Sequence, residues 1–142
     1  MIEYEIVELT IDELPKCASF WGHPNTRLEE FLKNGTRRVF ACKADGEFVG
    51  GCALMVREDE RGHFSDFFVR ENLRGRGIGS RIIEFALGFF KNEGVKTVRL
   101  HVYKDNLSAA RLYTRYGFEY LEDVTPEKIA MIKNILKKPS LI

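Results

Sequence analysis

The sequence has no excess of either charge: 22 Lys and Arg stand against 21 Asp and Glu, a net charge of +1. A nucleic-acid binder relies on a one-signed basic surface, so that class of partner is not expected. Cysteine is scarce, with only Cys17, Cys42 and Cys52 and no CxxC spacing. Buried reduced thiols are therefore expected; Cys42 and Cys52 flank a hairpin, which permits a bridge without implying one. No spacing of His, Cys and carboxylates suggests a metal site. No apolar run approaches the ~18 residues of a membrane span. The first residues, MIEYEIVELTIDEL, carry acids where a signal peptide would be apolar. The chain reads as cytoplasmic. Repeats, linkers and low-complexity stretches are also missing, so residues 1–142 read as one domain, large enough to fold without metal or disulfide.

What is present is a series of well-marked elements. Residues 3–9 (EYEIVEL) alternate polar and apolar, the pattern of a half-buried strand. Thr10 is a candidate N-cap with Asp12 and Glu13 in the first turn, which predicts a short helix through Phe20. Trp21-Gly22-His23-Pro24 interrupts it. Asn25 or Thr26 then caps a second short helix, with Leu28, Phe31 and Leu32 on one face and Asn34-Gly35 at its end. The runs 37–44 and 47–56 read as strands, and Asp45-Gly46 between them as a hairpin turn. A third run, 63–69 (HFSDFFV), completes an antiparallel meander.

After Val69 the pattern changes. Ile78, Ile82, Ile83, Phe85, Ala86, Phe89 and Phe90 recur at helical spacing over residues 77–92, and Gly94 is a stop. TVRLHV (97–102) is a strand, residues 106–116 a helix ended by Gly117, and FEYL (118–121) a strand. A meander followed by β-α-β-α-β predicts a mixed α/β (α+β) sheet, partly parallel, with helices packed on it. Residues 125–137 read two ways. Thr125-Pro126-Glu127 suits a helix start, whereas Ile129, Met131 and Lys133 alternate as a closing strand would.

The segment Arg74-Gly75-Arg76-Gly77-Ile78-Gly79 lies at a strand-to-helix junction. A helix start presents unpaired N–H groups and a partial positive charge, which suit a phosphate. Three glycines remove the Cβ atoms that would hold a phosphate off the backbone, and Arg74 and Arg76 add fork-shaped cations. The GxxxxGK[ST] pattern of a P-loop is missing, and Ser80 stands where a dinucleotide fingerprint has its last glycine. The loop also follows a meander instead of opening a first βαβ unit, which argues against a Rossmann domain.

The stretch DFFVRENLRGRGIGSRIIEFAL (66–87), followed by NLSAARLYTRYGF (106–118), resembles the GNAT (Gcn5-related) N-acetyltransferase family. Arg74, Gly77 and Gly79 match its R/Q-x-x-G-x-G/A signature. Asn106, Ala109 or Ala110, Leu112-Tyr113 and Gly117-Phe118 match its second motif. The resemblance covers about residues 63–121, and DFFVRENLRGRGIG is particularly similar to the polyamine and diamine branch. It implies the GNAT acyltransferase fold with acetyl-CoA as cosubstrate and no metal. The pyrophosphate would sit on the amides of Arg74, Gly75, Arg76, Gly77, Ile78 and Gly79. The pantetheine arm would run beside Phe67, Phe68 and Val69, where this strand splays from the next, and would meet Asn106.

The reaction implied is direct acetyl transfer to a primary amine of a small molecule or peptide, with a homodimer as a candidate assembly. The amine must lose its proton, because an alkylammonium near pKa ~10 has no lone pair. A backbone N–H near Phe68 or Val69 would meet the oxyanion, and Tyr113 matches the family's proton donor to the thiolate. Some members carry a carboxylate at the position of Ser65; its lack here leaves Asp66 to act directly, through water, or merely as an ion-pair partner. His63 and His101 titrate in a suitable range but, each alone on a strand, read as structural. Trp21, His23, Arg27, Glu29 and Glu30 are candidate acceptor-lining residues, although Glu29 and Glu30 also fit a solvated helix face. A GNAT-fold protein that holds acyl-CoA with little or no turnover is the alternative, and a regulator using the loop for NAD or ATP is a third reading.

Overall fold

The computed structural model describes residues 1–17 and 26–135. Its elements are β1 (Tyr4–Glu8), α1 (Thr26–Asn34), β2 (Arg38–Ala44), β3 (Glu47–Val56), β4 (Arg61–Val69), α2 (Ile78–Asn92), β5 (Thr97–Tyr103), α3 (Leu107–Arg115), β6 (Glu119–Thr125) and β7 (Lys128–Asn134). The strands form one mixed sheet in the order β1-β2-β3-β4-β5-β7-β6. β1, β2 and β3 pair antiparallel. β4 and β5 run parallel through the pairs Arg61–Thr97, Gly62–Val98 and His63–Arg99. The mixed sheet expected from the order of elements is therefore present. Two compact units divide the chain, Met1–Met55 with Phe64–Ala86 and Val56–His63 with Leu87–Ile142, so the division falls within β4 and within α2.

In the first unit both faces of the sheet are covered, and β2 shows it. Its four consecutive buried residues, Val39, Phe40, Ala41 and Cys42, do not alternate with polar ones. Such a run means that each face meets apolar partners. Val39 and Ala41 join Leu28 of α1, with Leu9, Leu14, Cys17 and Ala53, in one cluster against which Phe31, Leu32 and Phe68 pack. On the other face Phe40 meets Phe85 of α2, ring centroids 4.9 Å apart. The turn between β2 and β3 is Asp45-Gly46, both with positive φ (48° and 85°), as a two-residue hairpin demands.

Between β1 and α1 the expected helix is replaced by a tighter structure. Thr10 donates its N–H and hydroxyl to Glu13 Oε1, but a single 3₁₀ turn, Leu14–Cys17, follows. Pro15 explains this: it has no N–H to extend an α-helical ladder. Residues 18–20, expected to continue that helix, and the Trp21–Pro24 interruption lie outside the described residues.

In the second unit Val98, Leu100 and Val102 of β5 are buried, as are Tyr113, Phe118, Ala130 and Met131. Of residues 125–137, read two ways from the sequence, those described (125–135) contain a strand and no helix, and 136–137 lie outside the described residues. β7 inserts between β5 and β6, pairing antiparallel with both, and Pro126-Glu127 is the turn that leads into it. Thr125 Oγ1 accepts from the Glu127 N–H at 3.3 Å, so the apparent helix cap closes a hairpin instead. Among the described residues no helix is long and apolar enough to cross a membrane.

Gly50 is the tightest point of the first unit. A Cβ there would lie 2.5 Å from the Phe68 carbonyl oxygen, 2.9 Å from Ile82 Cδ1 and 3.4 Å from Val69 Cα. Its absence allows β3, the end of β4 and the first turns of α2 to meet. Gly50→Ala should destabilise the fold by about 1–3 kcal/mol, the usual cost of overpacking. Urea unfolding reads this directly, and an unchanged midpoint would contradict the close approach.

Candidate functional site

The site begins with an irregularity in β4. Gly62 and Phe64 are buried, then four half-buried residues follow, and burial resumes at Val69. The buried positions thus change from even to odd, as one extra residue in a strand produces. Asp66 is that residue, with φ of +52°. A second sign is that the Phe64 and Phe67 rings lie 5.5 Å apart; residues three apart on a regular strand point to opposite faces. Non-glycine residues seldom adopt positive φ, and Asp is among the more tolerant.

Hydrogen bonds hold this bulge. Asp66 Oδ1 accepts from Arg27 Nε at 2.9 Å, and Oδ2 accepts from the Ser65 hydroxyl at 2.7 Å. The Asp66 side chain is only 7% exposed, whereas that of Arg27 is 58% exposed. Phe31, one turn along α1, lies beneath two guanidinium groups: those of Arg27 and Arg37 each sit 5.2 Å from its ring centroid. Burial pulls the Arg37 pKa below its ordinary value, Asp66 opposes that shift, and Arg27 adds to it. Glu29 pairs with Lys33 at 2.8 Å and Glu30 is exposed, which fits the solvated-face reading of both. Trp21 and His23 lie outside the described residues.

Past Val69 the chain makes a 3₁₀ turn, Glu71–Leu73, and enters the glycine loop. Arg70 N–H reaches back to the Val49 carbonyl at 2.8 Å, and Arg74 Nε donates to the Val69 carbonyl at 3.1 Å. Arg74 is thus tied to the end of β4, which fixes where its guanidinium points. Gly75 and Gly77 have φ of +82° and +83°, and nothing lies within 4 Å of where their Cβ atoms would be. The residues from Arg74 to Gly77 are exposed, and Ile78, 2% exposed, anchors the helix beneath them. Arg81 N–H bonds to the Gly77 carbonyl at 3.2 Å. The N–H groups of Ile78, Gly79 and Ser80 precede that first helical bond and have no carbonyl behind them in the helix. Open backbone, a helix start and two arginines fit a diphosphate.

Within the second unit, Asn106 is the N-cap of α3, its Oδ1 accepting from the Ala109 N–H at 3.2 Å. Its side-chain amide donors are not used by that cap. Tyr113 is 4% exposed, with its ring edge-on to Phe118 at 6.0 Å. His63 and His101, read singly from the sequence, form an edge-to-face ring pair at 5.3 Å. Among the described residues no group of three or more His, Cys, Asp or Glu is placed to hold a metal. Gly50 and Arg37 belong to no sequence motif, and Phe31 reads from the sequence only as part of an apolar helix face. Only Gly50 left a trace, since a glycine pair inside a strand often marks a close backbone approach.

Residues 4–118 match the sequence model of the acetyltransferase (GNAT) family. The chain belongs to that family. It is 33% identical over 110 residues to an uncharacterized N-acetyltransferase of Methanocaldococcus jannaschii, covering 73% of this chain and 48% of that protein. It is 32% identical over 104 residues to the L-amino acid N-acetyltransferase AaaT of Escherichia coli, covering 68% of this chain and 64% of that protein. The chain spans about half the length of the curated relatives it matches first. In fold it is similar to the PaiA N-acetyltransferase of Thermoplasma acidophilum, solved in complex with coenzyme A, with a TM-score of 0.76, 16% identity, and coverage of 93% of this chain and 99% of that one.

The bulge yields a stability prediction. Asp66→Asn should cost about 1–2 kcal/mol, because an amide weakens a charge-assisted bond to a half-exposed partner. Asp66→Val should cost about 1–2 kcal/mol more, since a β-branched residue resists left-handed backbone. Equal unfolding midpoints for the two variants would mean that positive φ is not what constrains this position.

Proposed function

We propose that the protein is an acetyl-CoA-dependent N-acetyltransferase whose described parts serve one domain and whose acceptor is a primary amine of a small molecule or peptide. The observation that carries the proposal is the loop from Arg74 to Gly79. Its left-handed glycines, exposed backbone and helix start suit the CoA diphosphate. The coenzyme A complex of the T. acidophilum relative supports the same cosubstrate.

Acetyl-CoA supplies a thioester whose carbonyl carbon takes the amine lone pair as the CoA thiol leaves. The protein's tasks are to hold the diphosphate, line the arm, and place protons. Phe67, Phe68 and Val69 line the arm, and a backbone N–H near Phe68 or Val69 meets the developing oxyanion. The Asn106 amide donates to the arm while its oxygen caps α3. Tyr113 gives the departing sulfur its proton. These roles rest on the sequence motifs, with the bulge at Asp66 supporting the strand's part. A covalent acyl-cysteine is disfavoured by all three thiols: they are free and buried. Burial pushes Cys17 up to about 11 and raises Cys42 and Cys52 as well, so little nucleophilic thiolate exists near neutrality.

One observation favours the second reading, acyl-CoA binding with little turnover: both oxygens of Asp66 are occupied by Arg27 and Ser65, so it is poorly placed to take a proton. Release of CoA thiol from acetyl-CoA with a panel of amines, amino acids included, separates the readings. Turnover is expected with at least one acceptor. Tight CoA binding without release by any amine would establish the second reading instead. Tyr113→Phe should lower kcat at least about tenfold with acetyl-CoA affinity nearly intact. Asn106→Ser should keep the cap and the stability while raising the KM for acetyl-CoA. If Gly77→Trp still bound CoA normally, the loop would not be the cofactor site.

A further inference from the structure

Coenzyme A carries a third phosphate. Besides the diphosphate on its 5′ carbon, the ribose bears a phosphate monoester at the 3′ position, and such an ester holds a charge of about −1.5 to −2 at neutral pH. The loop from Arg74 to Gly79 suits the diphosphate. Its Arg74 donates Nε to the Val69 carbonyl, so that side chain is directed at the end of β4. A cation beyond the loop, one ribose away, would tell coenzyme A from its 3′-dephospho form.

Arg81 is the first cation of α2, three residues after Ile78, so its Cα lies about 4.5 Å along the axis from the helix start. Helical side chains lean toward the N-terminus, which carries Arg81 over the turn that opens on the loop. The residue is exposed, yet its guanidinium is held in place: it lies over the Tyr4 ring, 4.1 Å from the centroid. The register of β1 on β2 sets Tyr4, Ile6 and Glu8 opposite Ala44, Cys42 and Phe40, and Phe40 meets Phe85 of α2, so Tyr4 faces that helix. Glu3 and Glu5 alternate to the opposite face, and Asp45 Oδ1 accepts from the Glu3 N–H at 2.9 Å. Along α2 the next acid, Glu84, stands three residues further from the loop. A ring contact engages the face of a guanidinium and leaves the N–H donors at its edge for a phosphate. Holding the group in one place also lowers the ordering cost of binding.

We infer that Arg81, held over the Tyr4 ring, binds the 3′-phosphate of coenzyme A, so that the protein selects the 3′-phosphorylated cosubstrate over its dephospho form. The inference rests on the acetyl-CoA-dependent reading and extends it past the glycine loop. Tyr4 is a positioning residue here: its ring sets where the guanidinium lies and touches no phosphate itself.

The test is calorimetric binding of coenzyme A and of 3′-dephospho-coenzyme A to the full chain. Coenzyme A should bind about tenfold or more tightly than the dephospho form. Arg81→Met should bring the two affinities within about twofold of each other, by weakening coenzyme A and leaving the dephospho form unchanged. Arg76→Met, within the loop, should weaken both ligands alike. Tyr4→Phe should keep the selectivity, whereas Tyr4→Leu, which removes the ring, should reduce it severalfold. Equal binding of the two ligands by the wild-type chain overturns the inference and leaves the acetyl-CoA reading standing. Selectivity that survives Arg81→Met, or that is lost in Arg76→Met instead, overturns it as well, because the 3′-phosphate then sits elsewhere. Binding of neither ligand overturns the inference together with the reading on which it rests. Arg81→Gln carries the same comparison if the Met variant fails to fold.

Discussion

A single residue in left-handed backbone, Asp66, sets the geometry on which the rest of the first unit depends. Without it, β4 would keep its alternation and Phe67 would not approach Phe64. With it, the strand changes face and delivers the segment from Phe67 to Val69 in a new orientation, continuous with the glycine loop. The strain of such a backbone, of order 1–3 kcal/mol, must be offset locally. Two hydrogen bonds to the Asp66 carboxylate and the close seating of Phe68 and Val69 against Gly50 are the compensations available. The same contacts hold Arg27, so the backbone irregularity and the charge cluster over Phe31 are one arrangement.

Much of the fold was legible because the relevant signals are local. Asp45-Gly46 fixes a hairpin through backbone conformation alone, and Gly94 and Gly117, both with positive φ, end α2 and α3 in the same way. The apolar spacing of α2 marks it as a helix without reference to any contact. Other features depend on partners far along the chain. Thr125-Pro126 suits a helix start or a hairpin turn equally well; the choice falls to the hairpin because β7 finds room between β5 and β6, which no local pattern announces. Thr10 and Glu13 do form capping hydrogen bonds, yet Pro15 stops the helix they would begin.

The two parts of the candidate site differ in the same way. Binding a diphosphate through backbone N–H groups requires glycines at fixed spacing, and a requirement on backbone shape is written directly into residue identity. The loop from Arg74 to Gly79 is therefore legible as a candidate diphosphate site from the sequence alone. The cluster over Phe31 draws on positions 27, 31, 37 and 66, from a helix, a loop and a strand. Arg37, beside Arg38, carries no sequence signal that sets it apart. Its half-burial and its ring contact emerge only after folding.

That difference has a consequence for how such a protein is built. The glycine loop proposed to bind the donor tolerates little change, because any side chain at Gly75 or Gly77 meets unfavourable φ. The cluster over Phe31 depends on side chains instead, and Arg27 is the member that bonds to the Asp66 carboxylate. A substitution at Arg27 is therefore costly, because it removes an ion pair from a carboxylate that is only 7% exposed.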